Sequence, residues 1–490
     1  MMHSHVDFFS DSGPVMPRRQ MLQMSGLGFG SLALTTLLHS QGLLAAENGF
    51  TGRSGSPLAP KSSDFPAQAK SMIMFVQNGG PGQMEFFDPK PELTTRDGQT
   101  YGGEVEKFQP GNSDELLKSP FKFYRRGQCG MELSEVIPQI GSVADDICLV
   151  RSMVSDHNNH TEALVHLNTG KIFQGRPALG SWICYALGSE NQNLPAYIVL
   201  RDPEGYNTSG SLLWENGWLP ALYRGTEVNT QGTPMLNMKS QTPLPIQQRN
   251  LDFLAKLNER HREDYPDDST LEARIRNYEL AARMQLAAGE TLDLSAESKA
   301  TQDLYGLDNP TTSSYGLRCL MARRLVESGV RFVQIFPPRG QPWDSHNNVK
   351  TQNEEISAQT DLPSAALIKD LKQRGLLDST LVIWAGEFGR LPVSQNGKGR
   401  DHNRYAFSLF LAGAGFKAGF VYGKTDEVGH HAVENRVTVH DLHATILHQL
   451  GFDHRQLTYR LHGNEETLTD SRVTEAHVVE ELLVDTPQVF

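Results

Sequence analysis

Six short runs of this chain are apolar almost without a break: Ser71–Gln77, Ile147–Val150, Ala196–Leu200, Val330–Phe336, Thr380–Ala385 and Ala406–Ala412. A strand with one wet face alternates apolar and polar residues. A run with no polar side must be covered on both faces, which is the condition of a strand inside a mostly parallel sheet. Helical patterns separate the runs, at Glu132–Val143, Leu179–Leu187, Leu317–Ser328, Asn353–Arg374 and Val439–Leu450. The alternation predicts an α/β fold, a mostly parallel sheet with helices on both faces. From about residue 202 to 297 the pattern breaks, and Gln247–Leu286 is charge-dense with apolar residues at helical spacing, which reads as a helical insertion.

In such sheets the chemistry gathers in loops beyond the carboxyl ends of the strands. Four loops there are rich in carboxylates and imidazoles. They are Ser155-Asp156-His157-Asn158-Asn159-His160-Thr161-Glu162, Trp343-Asp344-Ser345-His346, Gly386-Glu387-Phe388-Gly389-Arg390 and Gly399-Arg400-Asp401-His402. An Asp-x-His loop by itself is usually a hydrogen-bonded turn. Recurrence after successive strands points to one shared polar site, and imidazole with carboxylate suits one or two divalent metals: zinc, calcium or manganese. A bound ion there polarises a phosphoryl or sulfuryl oxygen, or acidifies a water. The predicted metal cluster is Asp344, His346, Asp401 and His402, with Glu387 near it. Arg390, Arg400 and Arg176 are the cations expected to clamp an anionic group in bidentate fashion. His157 and His166 read as structural or surface residues.

Charge excludes one function class. Asp plus Glu total 57 against 45 Lys plus Arg, a formal charge of -12, so the chain is not a generally basic nucleic-acid binder. The 4 cysteines contain no C-x-x-C pair, which removes a zinc ribbon or a thioredoxin-type motif, and they read as buried free thiols. Arg18-Arg19 precedes an uncharged apolar stretch, Gly26–Leu38, too short to span a bilayer. This is the pattern of a twin-arginine export signal over residues 1–46. The protein is then periplasmic or extracellular. Leu44 stands at a cleavage-recognition position, so an uncleaved tether is the alternative. No later segment is long and apolar enough to span. Residues 47–69 are rich in Gly, Ser and Pro and read as a linker, followed by a domain over 70–465 and a tail over 466–490.

Several stretches together carry a resemblance. Gly79-Gly80-Pro81, Phe87-Asp88-Pro89-Lys90-Pro91, Gly175-Arg176-Pro177, Trp343-Asp344-Ser345-His346, Gly386–Arg390, Gly399–His402 and Thr438–Thr445 resemble the exported family catalogued as domain of unknown function 1501. That family looks like a distant branch of the alkaline phosphatase and sulfatase superfamily. The resemblance implies an alkaline-phosphatase-like fold and an exported, metal-dependent hydrolase of sulfate or phosphate esters. Its partner is a small-molecule or glycan ester. By position, Asn78 falls where the first metal-binding acid stands, and Glu387-Phe388-Gly389 where the superfamily has Asp-His-Gly. Asp344 and His346 match the acid and imidazole pair, and His402 the last His. Counting back from Thr169-Gly170 puts His160 at the nucleophile position with Thr161 beside it. A sulfatase carries Cys or Ser there for conversion to formylglycine, so a generic formylglycine sulfatase is not expected. The acid lost at position 78 and the His lost at Phe388 also support a second reading: a non-catalytic envelope protein that binds sulfated or phosphorylated glycans, or a protein partner.

Overall fold

The computed structural model describes residues 57–232, 234, 242–265 and 269–484. The expected export signal lies outside the described residues, as does the first part of the expected linker.

The apolar runs become the strands of a nine-stranded sheet. In chain order these are β1 (Ser71–Val76), β2 (Ile147–Val154), β3 (Tyr197–Leu200), β4 (Thr226–Glu227), β5 (Phe332–Ile335), β6 (Thr380–Ala385), β7 (Phe407–Ala412), β8 (Phe420–Tyr422) and β9 (Val437–Thr438). Their spatial order is β8-β2-β7-β6-β1-β5-β3-β4, and β9 also pairs with β2. β1 pairs in parallel with both β5 and β6, in registers such as Phe75 with Ile335 and Trp384. All six residues of β1, β6 and β7 are buried, as continuous apolar runs require. One strand runs against the rest: β7 is antiparallel to both β2 and β6. The sheet is therefore mixed and mostly parallel.

Helices at His160–Thr169, Leu179–Leu187, Ser313–Glu327, Val349–Gln373 and Val439–Gln449 connect the strands and bury their apolar sides against the sheet. Their ends obey local chemistry. Asn348 caps its helix by accepting from the amides of Lys350 and Thr351, Thr438 and Asp441 form a capping box, and Gly170 ends its helix at φ 72°.

Five expectations change. Glu132–Val143 is not a helix. Met131–Ser134 is a strand paired with Phe123–Arg126, and only Pro138–Gly141 turns helically. Met131 and Leu133 are buried while Glu132 is exposed, a period of two, and Pro138 favours a new helix start. The insertion is helical at Leu244–Asp264 and Ser269–Leu292, but its first part joins the core, since Thr226–Glu227 pairs with β3 and Trp214 and Tyr223 are buried. Residues 57–69 are docked rather than loose: Leu58 and Ala69 are buried, and the amides of Lys61, Asp64 and Gln68 donate to Leu187, Gly451 and Gln449. The expected tail is also attached as far as Val484, whose amide donates to Gly415. The thiols of Cys148, Cys184 and Cys319 are buried and free, whereas Cys129 is exposed.

Candidate metal centre

Strand direction decides where the polar loops meet. β1, β2, β5 and β6 all point the same way, so the loops that follow them, at Asn78, Ser155, Trp343 and Gly386, open at one edge. β7 enters from that edge because it is antiparallel, which places the residues before it, Asp401 and His402, among them.

Four side chains converge there: His160, Asp344, His346 and His402. Asp344 Oδ1 lies 2.8 Å from His346 Nε2 and 3.3 Å from His402 Nε2, and its Oδ2 lies 3.3 Å from His160 Nε2. The Nε2 atoms of His346 and His402 are 3.0 Å apart. The other ring nitrogen of each imidazole is committed. His402 Nδ1–H donates to the Asn158 carbonyl at 2.6 Å, and His160 Nδ1–H to Glu387 Oε1 at 2.6 Å. His346 Nδ1–H donates to Gln395 Oε1 at 2.5 Å, and the Gln395 amide is oriented by its own donation to Pro110 O at 2.9 Å. A carbonyl or carboxylate only accepts, so each neutral ring turns an unprotonated Nε2 toward the Asp344 carboxylate. Three lone pairs and an anion packed this closely repel unless a cation sits between them. Imidazoles that ligate a metal are usually fixed from behind in this way, by an oxygen that accepts from the other ring nitrogen. The donor set fits a divalent metal.

The surroundings confirm a shaped site. Gly79 adopts φ 110°, and a Cβ there would stand 2.6 Å from the Asp344 amide, so only glycine lets β1's loop approach the Asp344 loop. Gly399 is held to the same identity by contact, since a Cβ would meet the His346 carbonyl. Phe388, fully buried, packs its ring 4.8 Å from His160 and 4.5 Å from His402 and fills that side of the cluster. Phe108 stacks on His402 at 4.9 Å.

Charge is balanced inside the cluster. The Arg390 guanidinium lies 2.6 Å from Asp344 Oδ1. Burial would raise the Asp344 carboxyl, but the Arg390 guanidinium beside it holds it well below the usual carboxylate range. Burial pushes His402 down to about 4, with Arg390 and His160 adding repulsion against the pull of Asp344. For His160 burial again opposes the charged form, but the Asp344 and Glu387 carboxylates on its two sides outweigh it and lift the pKa above its ordinary value, so a proton on Nε2 competes with a cation there.

The remaining sequence candidates fall elsewhere. Asp401 turns away: its Oδ2 accepts the amides of Phe108 and Gln109 at 2.8 Å each. Glu387 is not in the cluster itself; it sits behind His160 and accepts the amides of Gly79 at 2.9 Å and Gly80 at 3.2 Å. Arg390 belongs to the cluster but has spent its donors on Asp344 and the carbonyls of Gly79, Gly80 and Arg400. Arg400 is fully buried, paired with Glu85 at 2.9 Å and bonded to the carbonyls of Leu391, Pro392 and Leu117, so it cannot clamp a substrate. Arg176 lies with Glu466 at 3.2 Å and over the Trp218 ring, away from the cluster. Thr161 is half-buried next to His160. The Asn78 side chain is fully buried with neither Oδ1 nor Nδ2 hydrogen-bonded, and its carbonyl accepts the Trp343 amide at 3.3 Å. Sequence reasoning missed Gln395, the Asn158 carbonyl and Gln83, which accepts the Arg390 amide at 2.8 Å. Backbone acceptors carry no sequence signal, and a lone Gln carries little.

The family model for proteins of unknown function DUF1501 matches residues 69–483. The chain belongs to the DUF1501 family. No curated protein matches it. Among solved structures it is similar to a sulfatase from Pseudoalteromonas sp., with 13% identity and a TM-score of 0.33 over 89% of this chain and 72% of that one. It is also similar to a phosphonate monoester hydrolase from Silicibacter pomeroyi, with 11% identity and a TM-score of 0.33 over 87% of this chain and 78% of that one. An alkaline phosphatase from the Antarctic bacterium TAB5 gives 11% identity and a TM-score of 0.28 over 74% of this chain and 97% of that one. None of the described helices is long and apolar enough to cross a membrane.

Proposed function

We propose that this DUF1501 chain is an exported, metal-dependent hydrolase of sulfate or phosphate esters. One observation carries the reading: three imidazoles, each with Nδ1–H committed to an oxygen, aim Nε2 at the Asp344 carboxylate. His160, His346, His402 and Asp344 hold the ion. A donor set of three nitrogens and one carboxylate suits zinc or manganese better than calcium, which takes six to eight oxygens. When bound, such an ion polarises the ester oxygen and lowers the pKa of a water.

The chain's own residues do the rest. Glu387 and the Asn158 carbonyl fix the orientation of His160 and His402, and Arg390 keeps Asp344 anionic. Phe388 and Phe108 exclude water from the rings of His402. Asp344 and His346, with side chains 16% and 13% exposed, form the open side, whereas the His402 side chain is fully buried, so substrate approaches over Asp344 and His346. His160 serves as a ligand rather than a nucleophile, because its Nε2 faces Asp344. A cavity of about 340 Å³ lies beside the Ser155–Asp156 loop, lined by Arg404, Tyr405, His431 and Arg436 among others, and none of the four cluster residues lines it.

The test is turnover of an aryl sulfate and an aryl phosphate by chelator-stripped protein reloaded with zinc or manganese. Turnover that His402→Asn abolishes supports the reading; the Asn amide keeps the bond to Asn158 and removes Nε2. Metal binding without turnover of either ester overturns it and leaves the glycan- or partner-binding alternative.

A further inference from the structure

Helix His160–Thr169 carries a second buried histidine, His166. Six residues of α-helix advance about 9 Å and end about 120° round the axis, so His166 looks away from the centre that His160 serves. Its Nε2 is buried, forms no hydrogen bond, and lies 3.3 Å from Asp156 Oδ2. The ring of His440, from helix Val439–Gln449, packs 5.0 Å from that of His166. Ligating atoms of Asp156, His166 and His440 all lie within 4.8 Å of one another. His440 donates Nε2–H to the Gly170 carbonyl at 2.7 Å, which makes Nδ1 its basic nitrogen. One turn on, His443 donates Nε2–H to Leu167 O at 2.9 Å and leaves a buried, unpartnered Nδ1.

An imidazole nitrogen and a carboxylate oxygen that come this close without hydrogen-bond alignment have the spacing of two ligands on one ion. A tetrahedral site with bonds of about 2.0–2.1 Å separates its ligands by about 3.3 Å. One contact competes. The Asp156 amide lies 3.4 Å from His166 Nδ1, which in that arrangement accepts and leaves the proton on Nε2. Moving the proton to Nδ1 gives up only this long contact and frees the Nε2 lone pair.

We propose that Asp156, His166 and His440 bind a second divalent cation of the zinc type, independent of the first. It enters past Asp156, whose side chain is 52% exposed and lines the neighbouring cavity, and solvent completes its coordination. The ion ties the loop after β2 and two helices together, and so braces from behind the helix that positions His160.

The test is zinc stoichiometry on the full chain, stripped with chelator and titrated with zinc chloride. The wild type is expected to take two equivalents and His402→Asn one. His440→Gln keeps the donor to Gly170 and lacks Nδ1; it should lose one equivalent and retain the site at His402. Asp156→Asn changes an exposed side chain and spares the fold. It should weaken one equivalent at least tenfold and remove the part of the zinc-induced rise in melting temperature that His402→Asn leaves intact. One equivalent in the wild type that His402→Asn abolishes overturns the proposal, as do two equivalents that both survive Asp156→Asn unweakened.

Discussion

Replacing Glu387 by Gln separates a ligand from a residue that orients one. The Glu387 side chain is fully buried and takes three donors: His160 Nδ1 at 2.6 Å, the Gly79 amide at 2.9 Å and the Gly80 amide at 3.2 Å. A Gln in the same place has one acceptor oxygen and an NH2 group. If the oxygen keeps His160 and Gly79, the NH2 faces the Gly80 amide, and a buried donor is left unsatisfied at a cost of about 1–3 kcal/mol. The two retained bonds lose their charge assistance, which about halves their strength. The metal-free protein should therefore be less stable by about 2–4 kcal/mol. His160 also becomes a poorer donor, and loss of such a supporting carboxylate weakens metal binding about 10–100-fold, or about 1.4–2.7 kcal/mol. Urea unfolding of stripped protein reads the first quantity, and calorimetric zinc titration the second. His402→Asn, which removes a ligating atom, is the reference and should abolish tight binding. A Glu387→Gln variant that binds and unfolds like the wild type would show that Glu387 does not orient His160. A variant that loses binding as completely as His402→Asn would show that Glu387 ligates directly.

Other substitutions probe the frame. Gly79→Ala sets a Cβ 2.6 Å from the Asp344 amide at φ 110°, and should cost at least about 2 kcal/mol in chemical denaturation and abolish metal binding. Arg400→Met breaks a pair whose side chains are both fully buried; it should destabilise the chain by about 3–5 kcal/mol, yet the folded fraction should titrate with zinc as the wild type does. Burial, and then repulsion from His431, pushes His430 down to about 4, against the pull of Asp426. The native state thus excludes a proton that the unfolded chain takes up near pH 6.5. The contribution is whole above about pH 6.5 and falls as pH drops toward 4, by about 1.4 kcal/mol per unit and about 3 kcal/mol in all. His430→Leu should flatten the acid limb of a urea-midpoint profile by that amount, and an unchanged slope would refute the assignment.

The sequence made the sheet legible because burial on both faces leaves no room for polar residues in β1, β6 and β7. It did not show that β7 is antiparallel, since an apolar run reads the same in either direction. That reversal is what brings His402, which precedes its strand, to the edge where the other loops follow theirs. Asp401 was grouped with His402 as a neighbour in sequence. His402–Asn403 is extended and paired with Gly389–Arg390, so successive side chains point opposite ways and Asp401 goes to the amides of Phe108 and Gln109. The Arg residues were legible as cations, but not as buried ones whose donors are consumed by backbone carbonyls. The tautomers that define the centre rest on Asn158 O and Gln395, and neither is visible in a motif.

The most direct test of the central claim is an anomalous difference map at the zinc edge from crystals of zinc-titrated protein. A peak should stand about 2.0–2.2 Å from Nε2 of His346 and His402 and from the Asp344 carboxylate, with His160 Nε2 turned toward it. A centre with no anomalous peak, in which a protonated His160 bridges Asp344 and Glu387 at full occupancy, would contradict it.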